Sequence, residues 1–263
     1  MDNATFIVDT IERYATTTRG AKRAHAKGNQ YIGKLQLNDM GKRIFNLDDT
    51  NLDVIVRLSD APPNRNVPSN LVPLKGLALH IKQVHINLVM VTFPYFPWTK
   101  EASIVKIAQY IHAIHQSESK LLKINLLRHL LKIEDFNKHL MKFILHQPIK
   151  TTMNQTFHNL HYFKYNEQFI RFHARKKNNQ ITLYTEIYDE IKPISELRKD
   201  AVIEEIAHIE LISETSETYT TFDPLQTGSL EAVYDEILNL RSEMYKISNQ
   251  HRNEEGITLE LNI

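Results

Sequence analysis

The sequence predicts an α+β fold in which an antiparallel β-barrel carries a helical insertion and C-terminal helices. Short segments of alternating apolar and polar residues fill the first third of the chain and return after residue 150, as is typical of half-buried strands. Between them, over about 100–147, apolar residues recur every three or four positions without a glycine, which indicates helices. Strands and helices segregated in this way favour an antiparallel barrel.

The N-terminal elements follow from local patterns. Residues 1–19 predict a helix, and "QYIGKLQLN" at 30–38 alternates as a strand does. The run "DVIVRLS" at 53–59 is rich in β-branched residues and predicts a second strand. A loop rich in proline and asparagine follows, and "LKGLALHI" and "VHINLVMVTF" predict two further strands.

The second half of the chain predicts a hairpin, a strand and a helix. Alternating segments on both sides of a Lys-Asn-Asn turn, in "QFIRFHARKKNNQITLYTEI", predict the β-hairpin. The run "VIEEIAHIELIS" continues the strand pattern, and from Ser229 onward the apolar spacing is helical. The whole of 1–263 is interpreted as a single domain, with the insertion at about 100–147 inside it.

Composition narrows the classes of function. The 263 residues include 32 basic and 31 acidic side chains, so the net charge of +1 gives no field that would attract nucleic acid or a membrane surface. No cysteine is present, which excludes disulfides and thiolate metal sites. Glycine-rich nucleotide-binding motifs, a secretory signal and an apolar run long enough for a spanning helix are absent from the sequence. We therefore expect a soluble cytoplasmic protein.

Three residues carry the strongest chemical signals. His25 stands between two alanines in "RAHAKG", which suggests an imidazole placed in a confined position, although a buried structural histidine gives the same pattern. Arg241 and Tyr245 are four residues apart on the C-terminal helix and so share a face. They form either a surface stack or a phenolate stabilised by a cation, and a phenolate is a ligand for ferric haem iron.

Other candidates have a structural alternative of equal weight. Arg57 in "VIVRLS" either points to solvent or, if buried, requires an anion such as a propionate. The aromatic run "TFPYFPW" at 92–98 either fills a core or lines a flat aromatic ligand. The histidine pairs His158/His161 and His80/His85 lack the spacing of a zinc site.

In this order, these segments resemble the catalase family. The hexapeptide "RAHAKG" is similar to the family's distal-histidine motif, "DVIVRLS" to its arginine-bearing strand, and "LNLRSEMYKIS" to its proximal Arg-x-x-x-Tyr helix. Weaker similarity links "LVPLKGLALHI" and "LVMVTFPYF" to two further family strands. The resemblance covers about 20–98 and 150–252, whereas 100–147 matches little.

The resemblance implies a catalase-like barrel that binds haem b (iron protoporphyrin IX). His25 would be the distal acid–base group and Tyr245 the iron ligand, with Arg241 beside it. Arg57 would hold a propionate, and Phe96 would pack near the ring. At the position of the family's distal asparagine stands Thr92, with Asn87 as the alternative on the same strand, and Tyr234 is the alternative to Tyr245.

The implied function is a haem peroxidase related to catalase, an oxidoreductase of the oxidative stress response. Its substrate would be hydrogen peroxide or an organic hydroperoxide, and because Thr92 replaces the asparagine we expect only modest catalase activity. Two alternatives stay open: a non-catalytic haem- or lipid-binding protein, and a cofactor-less partner protein that docks through the helices of 100–147. Neither nucleic acid nor membrane is an expected partner, whereas a homo-oligomer is.

Overall fold

The protein was analysed as a computed structural model that describes residues 2–14, 25–60, 74–96, 98–115, 132–133, 154–192, 201–216 and 221–260. Within these ranges the chain forms ten strands and four α-helices. The strands are β1 Lys27–Leu37, β2 Asn51–Asp60, β3 Lys75–Ile81, β4 Ile86–Val91, β5 Asn154–Asn159, β6 Phe163–Tyr165, β7 Gln168–Lys177, β8 Gln180–Tyr188, β9 Val202–Thr215 and β10 Glu231–Ala232. The helices are α1 Asn3–Tyr14, α2 Asp39–Phe45, α3 Glu101–His115 and α4 Glu236–Glu260, with a 3₁₀ turn at Lys82–Val84.

Eight strands close into an antiparallel barrel, which confirms the predicted fold class. Their order is β5-β4-β3-β2-β1-β9-β8-β7, and β7 pairs with both β8 and β5, so the sheet returns to its start. The short strands β6 and β10 extend from β7 outside this ring. Closure matters because it satisfies the backbone hydrogen bonds that an open sheet edge would leave unpaired.

The barrel interior is filled by aliphatic and aromatic side chains from alternate strand positions. On β2, Leu52, Val54, Val56 and Leu58 belong to the main buried cluster, so the residues between them face outward. The short helix α2 brings Phe45 into this cluster, where its ring stacks on Phe172 with centroids 5.8 Å apart. The outward residues of β2 to β4 are thereby available to build a site.

Helices α1, α3 and α4 pack together through a second apolar cluster. Its buried members are Ala4 and Ile7 of α1, Ala108 of α3 and Leu240 of α4. Among the described residues, no helix combines the length and the apolar character needed to cross a membrane. Of the insertion predicted at about 100–147, α3 is helical as expected, and apart from residues 132–133 the remainder lies outside the described residues.

The predicted hairpin is confirmed, whereas the predicted start of the C-terminal helix is wrong. β7 and β8 pair in register from Phe169–Tyr188 to Lys177–Gln180, as the Lys-Asn-Asn turn indicated. The helix begins at Glu236 and not at Ser229, because Glu231 and Ala232 pair with β6 as strand β10. Asp235 then caps the helix, since its carboxylate accepts a hydrogen bond of 2.7 Å from the Leu238 backbone N–H.

Candidate active site

A cavity of about 400 Å³ is lined by outward residues of β2, β3 and β4 together with residues of α1 and α4. Its lining is largely hydrocarbon and aromatic. The segment after β4 contributes four rings, from Phe93, Tyr95, Phe96 and Trp98, so the aromatic run singled out in the sequence lines this cavity and does not fill the barrel. The size and character are those of a small-molecule or cofactor site.

His25 lies in this cavity with an unusual backbone conformation. Its φ of 53° is in the left-handed region, which costs most residues with a side chain about 1–2 kcal/mol. Two contacts hold it there. The Arg57 guanidinium donates a hydrogen bond of 2.9 Å to the His25 carbonyl, and the imidazole Nδ1 lies 3.1 Å from the Ser59 hydroxyl. The tertiary structure therefore fixes both the backbone and the ring of this histidine.

Arg57 is only 4% exposed, so it is not a solvent-facing arginine. It lines the cavity from the outer face of β2, and its contact with His25 links the second strand to the segment before the first. A buried guanidinium has five donors to satisfy. One of these donors forms a hydrogen bond to the His25 carbonyl, so Arg57 positions His25. Its guanidinium also places positive charge at the cavity wall.

Gly76 allows the His25 ring to lie against β3. A Cβ at Gly76 would stand 2.8 Å from the imidazole Nδ1 and 2.7 Å from the Ser59 oxygen, closer than real Cβ atoms approach. Gly28 of β1 has a related role. It pairs with Ser59 of β2, and a Cβ at this position would stand 2.6 Å from the Leu58 carbonyl oxygen. The glycine after "RAHAK" thus serves a close approach of two strands.

One face of α4 supplies the other polar groups of the cavity. Arg241, Tyr245, Ser248 and Arg252 line it, and their spacing of three or four residues places them on a common helical face. The Tyr245 ring packs against the apolar cluster that includes Phe222. Tyr234, the alternative to Tyr245, is 65% exposed and does not line the cavity, so the geometry favours Tyr245.

A hydrogen-bonded link orients α4 against the barrel. The Ser242 hydroxyl donates to the Asp223 carboxylate at 2.8 Å. The Asn87 amide of β4 in turn donates to the Asp223 carbonyl at 3.1 Å. Ser242 lies between Arg241 and Tyr245 in sequence. This link therefore fixes the position of both side chains along α4 relative to strands β2 to β4, which line the opposite side of the cavity.

Neither candidate for the distal asparagine position faces the cavity. Thr92 is buried, and its hydroxyl accepts a hydrogen bond of 3.1 Å from the Lys75 backbone N–H. Asn87 is fully buried, with its amide oxygen 2.8 Å from His80 Nδ1. At this level of β4 the residues that line the cavity are Val89, Met90 and Val91. The structure thus unites His25, Arg57, Phe96, Arg241 and Tyr245 in one lining and leaves Thr92 outside it.

Three residues of the site carry no role in the sequence interpretation: Ser59, Gly76 and Arg252. Arg252 follows Tyr245 by seven residues, so the helical period alone could have revealed it. Ser59 and Gly76 matter through contacts between strands that local patterns do not encode. His161 lies outside the cavity lining and is buried, and burial together with the nearby Arg241 and Arg171 cations lowers its pKa well below the usual value.

The histidine pairs noted in the sequence lie elsewhere in the fold. His158 is buried, with its ring centroid 5.9 Å from that of His173 on the neighbouring strand. His80 bonds to Asn87, as described above. Away from the cavity lining, His251 on α4 pairs with Glu12 on α1 at 2.9 Å between Nδ1 and the carboxylate. This pair joins the two helices that contribute to the cavity.

The fold is similar to solved catalase structures. A fungal catalase superimposes with a TM-score of 0.69 at 16% identity, over 93% of this chain and 61% of that chain. Catalase A from Saccharomyces cerevisiae gives 0.68 at 14% identity, over 93% and 64% respectively. A bacterial catalase gives 0.67 at 13% identity, over 93% and 60%.

These likenesses concern the fold, because identity is low and the chain spans less than two thirds of the length of each structure. The sequence matches no protein-family model and no curated protein.

Proposed function

We propose that this protein binds haem b in the cavity and uses it to process peroxides. The observation that carries the proposal is the meeting of His25 with Arg241 and Tyr245 in one lining, since these residues lie near opposite ends of the chain and only folding brings them together. The catalase-like barrel supports the same assignment. Haem would supply redox-active iron for peroxide chemistry.

The residues present fit such a group. A flat macrocycle requires an apolar slot, and aromatic rings line the cavity at Phe93, Phe96 and Trp98. Its propionates require cations, and Arg57 and Arg252 lie in the lining. Its iron requires a donor, and Tyr245 offers a phenol oxygen with Arg241 one helical turn away.

His25 would act as the acid–base group. One of its ring nitrogens, Nδ1, is engaged with Ser59, so the ring has a fixed orientation, and Nε2 would exchange a proton with a bound peroxide. Such general acid–base assistance contributes roughly 10²- to 10⁴-fold. The left-handed backbone, the Arg57 contact and the glycine at position 76 together hold this single nitrogen in place.

The substrate would be hydrogen peroxide or an organic hydroperoxide, with modest catalase activity. The structure offers no support for Thr92 as a catalytic group, since its hydroxyl is bonded to Lys75 and it does not line the cavity. We also propose that 1–263 acts as a single domain, and that the protein works in the cytoplasm as a homo-oligomer, which sedimentation of the purified protein would measure.

The test is reconstitution of the purified protein with hemin. We expect a visible spectrum of tyrosinate-ligated haem, and loss of that spectrum in Tyr245→Phe. Tyr234→Phe is the matched control because this tyrosine is exposed, and it should leave the spectrum unchanged. A protein that takes up no hemin would exclude the proposal.

His25→Ala separates the enzyme from a non-catalytic binder. If the enzyme proposal is right, this variant retains hemin and its spectrum while peroxide turnover falls at least 100-fold. Wild-type protein that holds hemin and turns over neither substrate class would instead favour the binding alternative.

A further inference from the structure

The wall of the cavity beside His25 is formed by Val91. This residue is the last of β4 and lies directly opposite Gly76 of β3 in the antiparallel register. Gly76 is the residue whose missing side chain makes room for the His25 ring. Opposite residues in such a pair are about 4.5–5.5 Å apart, so Val91 is the side chain that β4 presents next to the imidazole. It is half-buried and lines the cavity.

On β3 and β4, the side chains that line the cavity with Val91 are hydrocarbon. Val89 on β4 and Ala78 on β3 line the same wall. The Ser59 hydroxyl is engaged with the imidazole Nδ1 at 3.1 Å. On its other side Val91 pairs with His158 of β5, which is 4% exposed and does not line the cavity.

Neither Asn87 of β4 nor Thr92, which follows the strand, lines the cavity. The Asn87 amide bonds to His80, Asp223 and Gln226, and the Thr92 hydroxyl bonds to Lys75. In the part of the chain that the structure describes, β4 therefore places no hydrogen-bonding side chain in the cavity lining beside His25.

This composition discriminates between two kinds of peroxide. Both oxygens of hydrogen peroxide carry a proton and require hydrogen-bonding partners, and an oxygen held against Val91 would lose one of them. An alkyl or aryl hydroperoxide carries hydrocarbon on one oxygen, which packs favourably on an apolar wall. We propose that Val91 is the specificity-determining residue of this site and favours hydroperoxides with an apolar substituent over hydrogen peroxide. This proposal rests on the function proposed above.

The decisive variant is Val91→Thr, which keeps the branched shape and adds a hydroxyl. The measurement is the ratio of kcat/KM for cumene hydroperoxide to kcat/KM for hydrogen peroxide, in hemin-loaded protein. We expect this ratio to fall about tenfold in Val91→Thr, because the new hydroxyl serves the polar substrate and leaves the apolar one facing an unsatisfied group. An unchanged ratio would overturn the assignment.

Val91→Ala is the control for size. It shortens the side chain without making it polar, so the ratio should not fall by more than about threefold. A fall in Val91→Ala as large as in Val91→Thr would mean that volume and not polarity decides, and would also overturn the assignment. Thermal unfolding of each variant checks that both fold. Because Val91 is only half-buried, we expect both substitutions to leave the fold intact.

A binding measurement gives a readout that needs neither haem nor turnover. Trp98 is the only tryptophan of the chain and lines the cavity, so its fluorescence reports on occupancy. The probe is cumyl alcohol, the unreactive counterpart of cumene hydroperoxide, titrated into the full-length protein without added hemin. Wild type and Val91→Ala should bind it with similar affinity, and Val91→Thr several-fold more weakly.

The two proposals fail in distinguishable ways. Absence of hemin uptake in every variant would exclude the haem function, while weaker cumyl alcohol binding by Val91→Thr would still support the role of Val91. Equal affinities of wild type and Val91→Thr, or no binding of the probe by wild type, would overturn that role even in a protein that holds haem.

Discussion

His25 is positioned by three residues of strands β2 and β3. Its backbone adopts a left-handed φ that histidine tolerates better than bulky or branched residues do. Arg57 holds its carbonyl, Ser59 holds its ring nitrogen, and Gly76 leaves the space in which the ring lies. The strain at one residue is thus compensated by contacts from two strands, as is common at functional sites.

Gly76→Ala tests this positioning. The added methyl would collide with the imidazole and the Ser59 oxygen, so we expect a loss of about 1–3 kcal/mol in unfolding free energy and an altered Trp98 fluorescence on ligand titration. Chemical denaturation and fluorescence measure the two effects.

Gly33→Ala is the matched control for this substitution. Its Cβ would meet the Glu210 carbonyl at 2.8 Å, in the wall between β1 and β9, and Gly33 does not line the cavity. We expect a comparable loss of stability with unchanged ligand binding. If Gly76→Ala left both properties intact, the packing assigned to the imidazole would be wrong.

How far the site could be predicted from the sequence depends on how each residue is encoded. Arg241 and Tyr245 are four residues apart and therefore share a helical face. Two further turns, seven residues beyond Tyr245, lead to Arg252 on the same face. His25 is marked only by its small neighbours. Ser59 and Gly76 become partners of His25 through strand register. Thr92 follows Val91 by one residue and does not line the cavity, because a shift of one residue along a strand reverses the face.

At the scale of elements, the α4 helix depends on a precise start. The apolar spacing from Ser229 is helical throughout, yet pairing with β6 converts Glu231 and Ala232 into a strand. A two-residue strand is determined by its neighbour and not by its own sequence. By contrast the β7–β8 hairpin was predictable, because alternation on both strands and an Asn-Asn turn give the same answer.

Asp235→Ala tests the cap at this start. Loss of the hydrogen bond to the Leu238 N–H, and of a negative charge at the helix N-terminus, should lower the free energy of unfolding by about 1 kcal/mol. Denaturant unfolding measures it. Glu243→Ala, an exposed change within the same helix, should stay within about 0.5 kcal/mol of wild type. Equal effects of the two substitutions would contradict the capping role.

For the whole molecule, buried neutral histidines couple stability to pH. Burial lowers the pKa of His161 well below its ordinary value of 6.5, and burial also lowers that of His80. Below about pH 6.5 the unfolded chain therefore binds more protons than the folded one. Each such histidine makes the free energy of unfolding fall as the pH drops below this value, with a slope of up to about 1.4 kcal/mol per pH unit.

His161→Gln should reduce this slope in the protein without haem. We expect a shallower decline of the unfolding free energy between about pH 6.5 and 5, measured by denaturant titration at several pH values. His208→Gln is the control, because this histidine is exposed on β9. A slope that remained as steep in His161→Gln as in wild type would show that other groups dominate.

The closed barrel explains why the fold class was predictable while its site was only partly so. Alternation and segregation of elements determine the class, whereas the closing contact between β7 and β5 places residues of distant segments side by side. The cavity in turn lies outside the barrel, where packing of α1 and α4 brings together side chains that no local pattern relates.

The distribution of the cavity residues along the chain also sets an order of events during synthesis. His25, Arg57 and Gly76 leave the ribosome early, whereas Tyr245 and Arg252 leave it late. A nascent chain can form its first hairpins but has no complete cavity until α4 has emerged. Any ligand of this cavity must therefore be loaded after α4 has been translated, and ribosome-stalled chains that end before α4 should not retain it.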